Sequence, residues 1–431
     1  MKDLLEKHSK CYEALAEKGL YNIDDINRAL MIVARFIQEK ELILFGGNAI
    51  DLALREHGDF IYPEHQLPDY DCYSSDSVND AYELAKLFEK NGFTNINVIR
   101  GIHPQTMKIR INYHWVADIG YLAKENFKKI KTLECGGFII RHPHDQYIDI
   151  HSALSYPFGG VPKEQIKHRW KKDISRYNKL FEFYPIKSEN VKLTLKKYQF
   201  TVDNTNNYAF TGFIAYSCYL QELGKYCDIS SFPKLQFKFV DNNKLSMELP
   251  NDVSYIELLT KTKIKGDDYE PMCDFLPKYT YSNNIRYYST DFYQVSINKL
   301  SNIKICTFQH MLMFFLIQML YGDKKHSDLY KFFYVKSLDM LGLSQEKVPN
   351  YSTSPFSISL TTFGNKNMSN AYLLRIANCS QKNNIKVPFV DDNLLTKLTN
   401  NLPMNYYMKN EPPVYNYDNI LFMNRGVKVF S

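Results

Sequence analysis

At 431 residues, with 45% hydrophobic and 23% charged residues, the chain has ordinary globular composition and the length for two or three domains. Its formal charge of +6 permits a polyanionic partner without requiring one, and its 15% aromatic content, mostly Tyr and Phe, accompanies many Asn, Lys and Ile residues as A/T-rich coding would. Eight cysteines scattered from Cys11 to Cys379 form no CxxC pair and no zinc spacing, Met1 to Leu20 contains no signal-peptide core, and the most apolar stretch, Phe308 to Tyr321, is broken by Gln309, His310 and Gln318. A disulfide scaffold, a zinc module and a membrane-spanning protein are thereby excluded, and the reading is a soluble intracellular protein in a reducing compartment.

The N-terminal segment, 1–40, reads as helical. Asp24 or Asp25 can cap a helix whose apolar face is Ile26, Leu30, Val33, Phe36 and Ile37. A strand over Leu42 to Phe45 follows, and Gly46-Gly47 turns into a second helix, Asn48 to His57. This order places backbone N–H groups at a positive helix end, where phosphate binds readily. An isolated Gly-Gly is most often plain loop punctuation.

A polar loop with Pro63 and His65 leads to Pro68-Asp69-Tyr70-Asp71-Cys72. On a strand, Asp69 and Asp71 share one face while Tyr70 and Cys72 take the other. A lone Asp-x-Asp is most often a surface pair. Here it follows a glycine turn that opens a helix, and it precedes a third acid, Asp118, midway along the apolar run Trp115 to Leu122. Carboxylates crowded together repel and are best tolerated around cations, and hard oxygen donors select Mg²⁺ or Mn²⁺. Asp118 on a buried strand is costly unless paired or metal-bound. Between these acids, Asp76 or Ser77 caps a helix over Val78 to Asn91, and strands are expected at Asn95 to Ile102 and Thr106 to Asn112, completing a mixed sheet flanked by helices. The whole reads as a nucleotidyl-transfer centre.

Gly46-Gly47-Asn48-Ala49-Ile50-Asp51, Leu67-Pro68-Asp69-Tyr70-Asp71 and Ala117-Asp118-Ile119 resemble the nucleotidyltransferase signature of the DNA polymerase β superfamily. More narrowly they resemble the poly(A) polymerase catalytic subunits of large cytoplasmic DNA viruses, the poxvirus and giant-virus group. His103 to Ile109 and Arg169 to Arg176 support the narrower match, which runs over roughly residues 40 to 185. Two departures stand out: Gly47 replaces the commoner Ser, and the loop from Gly47 to Asp69 is longer than usual.

The resemblance implies that Asp69 and Asp71 hold a metal bound to the triphosphate of ATP, and that with Asp118 they hold a second metal at an RNA 3′-hydroxyl. Gly46, Gly47 and Asn48 would cradle phosphate, and Asp118 would serve as ligand and proton acceptor in one.

Further along, Gly136-Gly137 opens a strand over Phe138 to Arg141, with Tyr147 to Leu154 following, and Pro157 and Pro162 bracket a Gly159-Gly160 turn. A long helix from Lys163 carries Lys167, Arg169, Lys171, Lys172, Arg176 and Lys179 against Asp173. Lys172 and Arg176, four apart and on one face, are the preferred pair for triphosphate or RNA backbone; a solvated helix face is the other reading.

Composition shifts near Pro185 to Asn190, giving a catalytic domain over 41–186 and a second α+β domain over 187–431 for RNA binding or dimerisation. In the latter, strands are expected at Leu235 to Phe239 and Ile285 to Tyr288, polar turns at Asn204 to Asn207 and Asp241 to Asn243, and helices at Phe210 to Leu223, Thr307 to Tyr321 and Ser327 to Leu341. Interleaved Tyr and Lys would suit base stacking, and equally an aromatic core. A second, degenerate copy of the nucleotidyltransferase fold stays open, because this half lacks a Gly-Gly plus paired-acid set.

The expected function is template-independent transfer of AMP from ATP to RNA 3′ ends with Mg²⁺ or Mn²⁺, two ions, in the cytoplasm. A homodimer or a processivity subunit would be the protein partner. The alternatives are a tRNA-type or small-molecule nucleotidyltransferase and an inactive RNA-binding scaffold.

Overall fold

The computed structural model describes residues 23–63, 68–101, 106–112, 114–155, 163–189, 191–202, 208–240, 243–260, 279–289, 297–300 and 303–347, with isolated positions at 6, 8, 355, 356, 358, 429 and 430. His103 to Gln105, the Pro157 to Pro162 turn and the turn at Asn204 to Asn207 lie outside these residues. The chain divides into two compact units, the first running to Gln146 and the second starting at Tyr147.

The first unit opens with α1 (Ile23–Glu39), β1 (Ile43–Leu44) and α2 (Gly46–Arg55), and continues through β2 (Tyr70–Ser74), α3 (Ser77–Lys90), β3 (Ile96–Arg100), β4 (Thr106–Ile111) and β5 (His114–Tyr121). A short helix α4 (Lys124–Phe127), β6 (Thr132–Cys135) and β7 (Phe138–Arg141) follow, and α5 (Pro143–Ser155) leads out of the unit. On α1 the spacing expected from sequence holds, since Ile26, Leu30, Val33, Phe36 and Ile37 are all buried. Asp24 and Asp25 lie inside its first turn, where negative charge complements the helix dipole.

Strand order across the sheet is β3-β4-β5-β2-β1-β7-β6, with Val429–Phe430 pairing on the outer edge of β3. β2 runs parallel to β5 and antiparallel to β1, and β1 runs parallel to β7. Helices α1 and α3 cover one face, α3 through Ala81, Leu84, Ala85 and Phe88. Two local details differ from the sequence reading. Asp76, at the start of α3, makes no side-chain capping bond; its N–H instead donates to Ser74 Oγ at 2.8 Å. Tyr147 to Leu154 is helical, within α5, and the hairpin partner of β7 is Thr132–Cys135.

The second unit contains α6 (Lys163–Phe183), β8 (Leu195–Thr201), β9 (Tyr208–Phe210), α7 (Gly212–Leu223), β10 (Phe237–Phe239), β11 (Lys244–Pro250) and β12 (Ile256–Thr260). It ends with β13 (Tyr279–Ser282), β14 (Ile285–Ser289), β15 (Ile297–Leu300), β16 (Ile303–Cys306), α8 (Phe308–Tyr321) and α9 (Ser327–Lys347). Phe213, Tyr216, Phe315, Tyr330 and Phe333 interlock as a buried aromatic core, with Phe333 edge to face against Phe213 and Tyr216, and Phe213 stacked on Tyr330. Among the described residues no helix is long and apolar enough to cross a membrane.

The larger sheet of this unit has the order β13-β14-β12-β9-β16-β15, strand for strand the arrangement β4-β5-β2-β1-β7-β6 of the first unit. Pairing directions agree throughout: β12 is parallel to β14 and antiparallel to β9, and β9 is parallel to β16. The degenerate copy left open by the sequence is therefore present. Thr211 N–H donates to Glu257 O at 3.1 Å, as Phe45 N–H donates to Asp71 O at 3.0 Å. Gly212 and Gly46 follow with φ of +55° and +67°. Glu257 thus stands in the place of Asp71, and its parallel partner Arg286 in that of Asp118.

Candidate active site

The turn into α2 is shaped by Gly46, whose left-handed φ of +67° is one that side chains rarely adopt; a Cβ there would lie 2.9 Å from Asp71 Oδ2. Close approach of backbone and carboxylate is what the missing side chain permits. Gly47 is buried in the first turn of α2. Asn48 follows, and its side-chain amide donates to the backbone carbonyl of Asp69 at 2.6 Å. Beneath the turn, Phe45 stacks on Tyr73 with ring centroids 4.0 Å apart, and Tyr73 OH accepts from Arg141 at 3.3 Å. Arg141 itself is wholly buried and bonded to Asp145, also wholly buried.

The loop ahead of the acids is tied down by Asp51 on α2. One of its oxygens accepts the N–H groups of Ile61 and Tyr62 at 2.6 and 2.9 Å, and the other accepts Arg55 Nε at 2.6 Å. Arg55 also donates to Tyr62 O at 2.9 Å.

Asp71 and Asp118 are direct neighbours in the parallel β2–β5 register, with Asp69 just before β2. One oxygen from each of Asp69, Asp71 and Asp118 lies within 4.8 Å of the others, the one such cluster of three potential ligands among the described residues. The geometric convergence expected from sequence is thus found. Burial raises the Asp118 carboxyl above its ordinary range, Lys108 pulls it back by hydrogen bond and charge, and Asp69 adds a smaller upward push. Its Oδ2 is bonded to Lys108, which faces it across β4 and β5, while its buried Oδ1 finds no donor among the described residues. Behind the acids, burial raises the Cys72 thiol strongly, and Asp71, Asp80 and Asp118 add to it.

A divalent ion suits this donor set. Three half-buried carboxylates aimed at one small space supply hard oxygen ligands, and the orphaned Asp118 Oδ1 is a buried acceptor that a cation would satisfy.

Lys172 and Arg176 lie on α6, in the second unit. Lys172 is exposed and Arg176 half-buried, and both act with Arg169 to hold down the Asp173 carboxyl, which burial pushes up. Sequence reasoning missed Lys108 as a partner of Asp118, and it cast Asn48 only as a phosphate donor. The first could not be read from spacing: continuing the register of the Arg110–Trp115 pair would set Lys108 opposite Ala117, and the irregularity between Ile109 and Arg110 brings it opposite Asp118.

A glycine-opened helix beside paired acids, with a third acid on the adjacent parallel strand, defines a nucleotidyltransferase. Residues 31–160 match the family described as poly(A) polymerase catalytic subunit. A protein of African swine fever virus provisionally named poly(A) polymerase catalytic subunit is 32% identical over 460 aligned residues, covering 97% of this chain and 96% of that one. One of the same provisional name from Acanthamoeba polyphaga mimivirus is 25% identical over 294 residues, covering 60% and 49%. The crystal structure of the Megavirus polyadenylate synthase shares the fold with a TM-score of 0.58 at 17% identity, covering 94% of this chain and 88% of that one. The chain belongs to the poly(A) polymerase catalytic subunit family.

Proposed function

We propose that the chain extends RNA 3′ ends without a template by transferring AMP from ATP, releasing pyrophosphate. The observation that carries this reading is the convergence of Asp69, Asp71 and Asp118 within 4.8 Å beside the Gly46 bend, in a chain of this family. Asp69 and Asp71 would hold a divalent cation with the triphosphate, and the same pair with Asp118 a second cation at the RNA end. Such ions, when bound, supply Lewis-acid stabilisation of the attacking and leaving oxygens.

The protein's own groups then have distinct tasks. Backbone N–H groups of Gly47 and Asn48, at the positive end of α2, bind phosphate oxygens. Asn48 fixes the Asp69 backbone and so orients that carboxylate. Asp118, its carboxyl raised by burial, accepts the proton of the 3′-hydroxyl as that oxygen bonds to the α-phosphorus and the bond to pyrophosphate breaks. Lys172 and Arg176 are assigned to phosphate contacts, 41–186 to the chemistry, and 187–431 to RNA holding or dimerisation. A processivity subunit or a second copy is the protein partner, and the host cytoplasm the place of action.

The test is extension of an RNA primer with Mg²⁺ and each nucleotide in turn. Long tails with ATP alone support the reading. One or a few additions point to a tRNA-type enzyme, and no extension with any nucleotide to an inactive scaffold. Asp69→Ala and Asp118→Ala should each abolish extension while leaving salt-sensitive RNA binding in place, because the loss is of transition-state stabilisation.

A further inference from the structure

Asp118 is divided between two roles. Its Oδ2 is bonded to Lys108, its buried Oδ1 has no donor among the described residues, and one of its two oxygens lies within 4.8 Å of oxygens of Asp69 and Asp71. The same ammonium also lies over the Trp115 ring, 5.0 Å from its centre. Its side chain is 26% exposed, enough for the flexible four-carbon stem to move. Arg110, the next cation on the same face of β4, is already committed: it donates to Asn97 Oδ1 at 3.1 Å and stacks 5.3 Å over Trp115.

We infer that Lys108 is a built-in counter-ion, which holds Asp118 while the site lacks its second divalent cation and must release that carboxylate when the cation enters. The inference rests on the metal reading proposed above. Three carboxylates in so small a space repel one another, and a fixed ammonium on one of them offsets the repulsion without any ion. A divalent cation on Asp118 Oδ1 would sit within a few ångströms of that ammonium, and two positive charges at such a distance repel through a partly dry site. Each therefore weakens the hold of the other. The Trp115 ring, already beneath the ammonium, still holds it after the carboxylate is released, as cations are drawn to aromatic faces. Lys108 is on this account a positioning residue. It keeps affinity for the second cation low until the negative charge of nucleotide and RNA arrives with it, so the complete centre forms only around its substrates.

The experiment is Mn²⁺ binding to the nucleotide-free full chain, followed by electron paramagnetic resonance of the free ion, for the parent, Lys108→Met, Lys108→Arg, Asp118→Asn and Lys108→Met/Asp118→Asn. Asp118→Asn should remove the weaker site, with or without Lys108. Lys108→Met should tighten that site about tenfold and lower the Mn²⁺ needed for half-maximal primer extension in step. Lys108→Arg, which keeps the charge, should stay within about twofold of the parent. Thermal unfolding checks that each variant is folded, and Lys108→Gln replaces any Met variant that is not. If Asp118→Asn removes a site but Lys108→Met leaves its affinity unchanged or weaker, the counter-ion role is overturned and the metal reading stands. If Asp118→Asn removes no site, both are overturned.

Discussion

Gly46 and Asp71 are in such close apposition that a single added methyl on the glycine would sit 2.9 Å from the aspartate's Oδ2, with the Cβ of Asp71 3.6 Å away. Gly46→Ala meets two penalties. The left-handed backbone costs an L-residue about 1–2 kcal/mol, and the methyl pushes Asp71 out of its cluster. Urea unfolding should register the first, and primer extension should fall by roughly a hundredfold from the second.

Asp51 ties the approach to the acids without touching them. Asp51→Ala leaves the Ile61 and Tyr62 amides without the acceptor they share, at a cost of about 1–3 kcal/mol. The loss should appear in urea unfolding, and limited proteolysis should cut between α2 and Asp69 faster than in the parent.

Arg141 and Asp145 form an ion pair with no exposure on either side chain. Arg141→Met strands a carboxylate in the core and should cost about 3–5 kcal/mol, whereas Arg141→Met/Asp145→Leu, which removes both charges, should recover most of it. Denaturant midpoints decide this, and a double variant as unstable as the single would refute the account.

Glu257 gives the protein a pH dependence away from the acid cluster. Burial, only partly opposed by Tyr330 and Arg286, raises its carboxyl from 4.5 to about 7. Its proton is held in the folded state and lost sooner in the unfolded one, so the stabilisation is complete below about pH 4.5, declines as pH rises, and is gone above about pH 7. At about 1.4 kcal/mol per pH unit, the span is about 3 kcal/mol. Glu257→Gln should flatten that slope in stability measured across the range.

How much of this could be read from the chain varies with the reach of each interaction. Asp69 and Asp71 are legible because strand alternation is local, and Asp118 because an acid inside an apolar run demands an explanation. Their meeting depends on the parallel pairing of β2 with β5, which is set by a crossover through α3 and the β3–β4 hairpin rather than by either strand. Tyr147, Ile148, Ile150 and Leu154 are short apolar punctuation that suits strand or helix alike, and packing makes them helical. The second sheet was legible only as an open alternative, because the ligand positions hold other residues, with Tyr255 two residues ahead of Glu257 where Asp69 precedes Asp71.

That exchange has a lasting effect on what the second unit can become. Its Arg286 lies 3.6 Å over the Tyr255 ring and 4.6 Å over Tyr279, while Tyr330 donates to Glu257. An aspartate at position 286 would sit beside Glu257 with the neutralising guanidinium gone and the stacked tyrosines left facing a void. A return to facing acids at this register would therefore begin with a drop in stability, and the half that shares the topology of the acid cluster is held by packing instead.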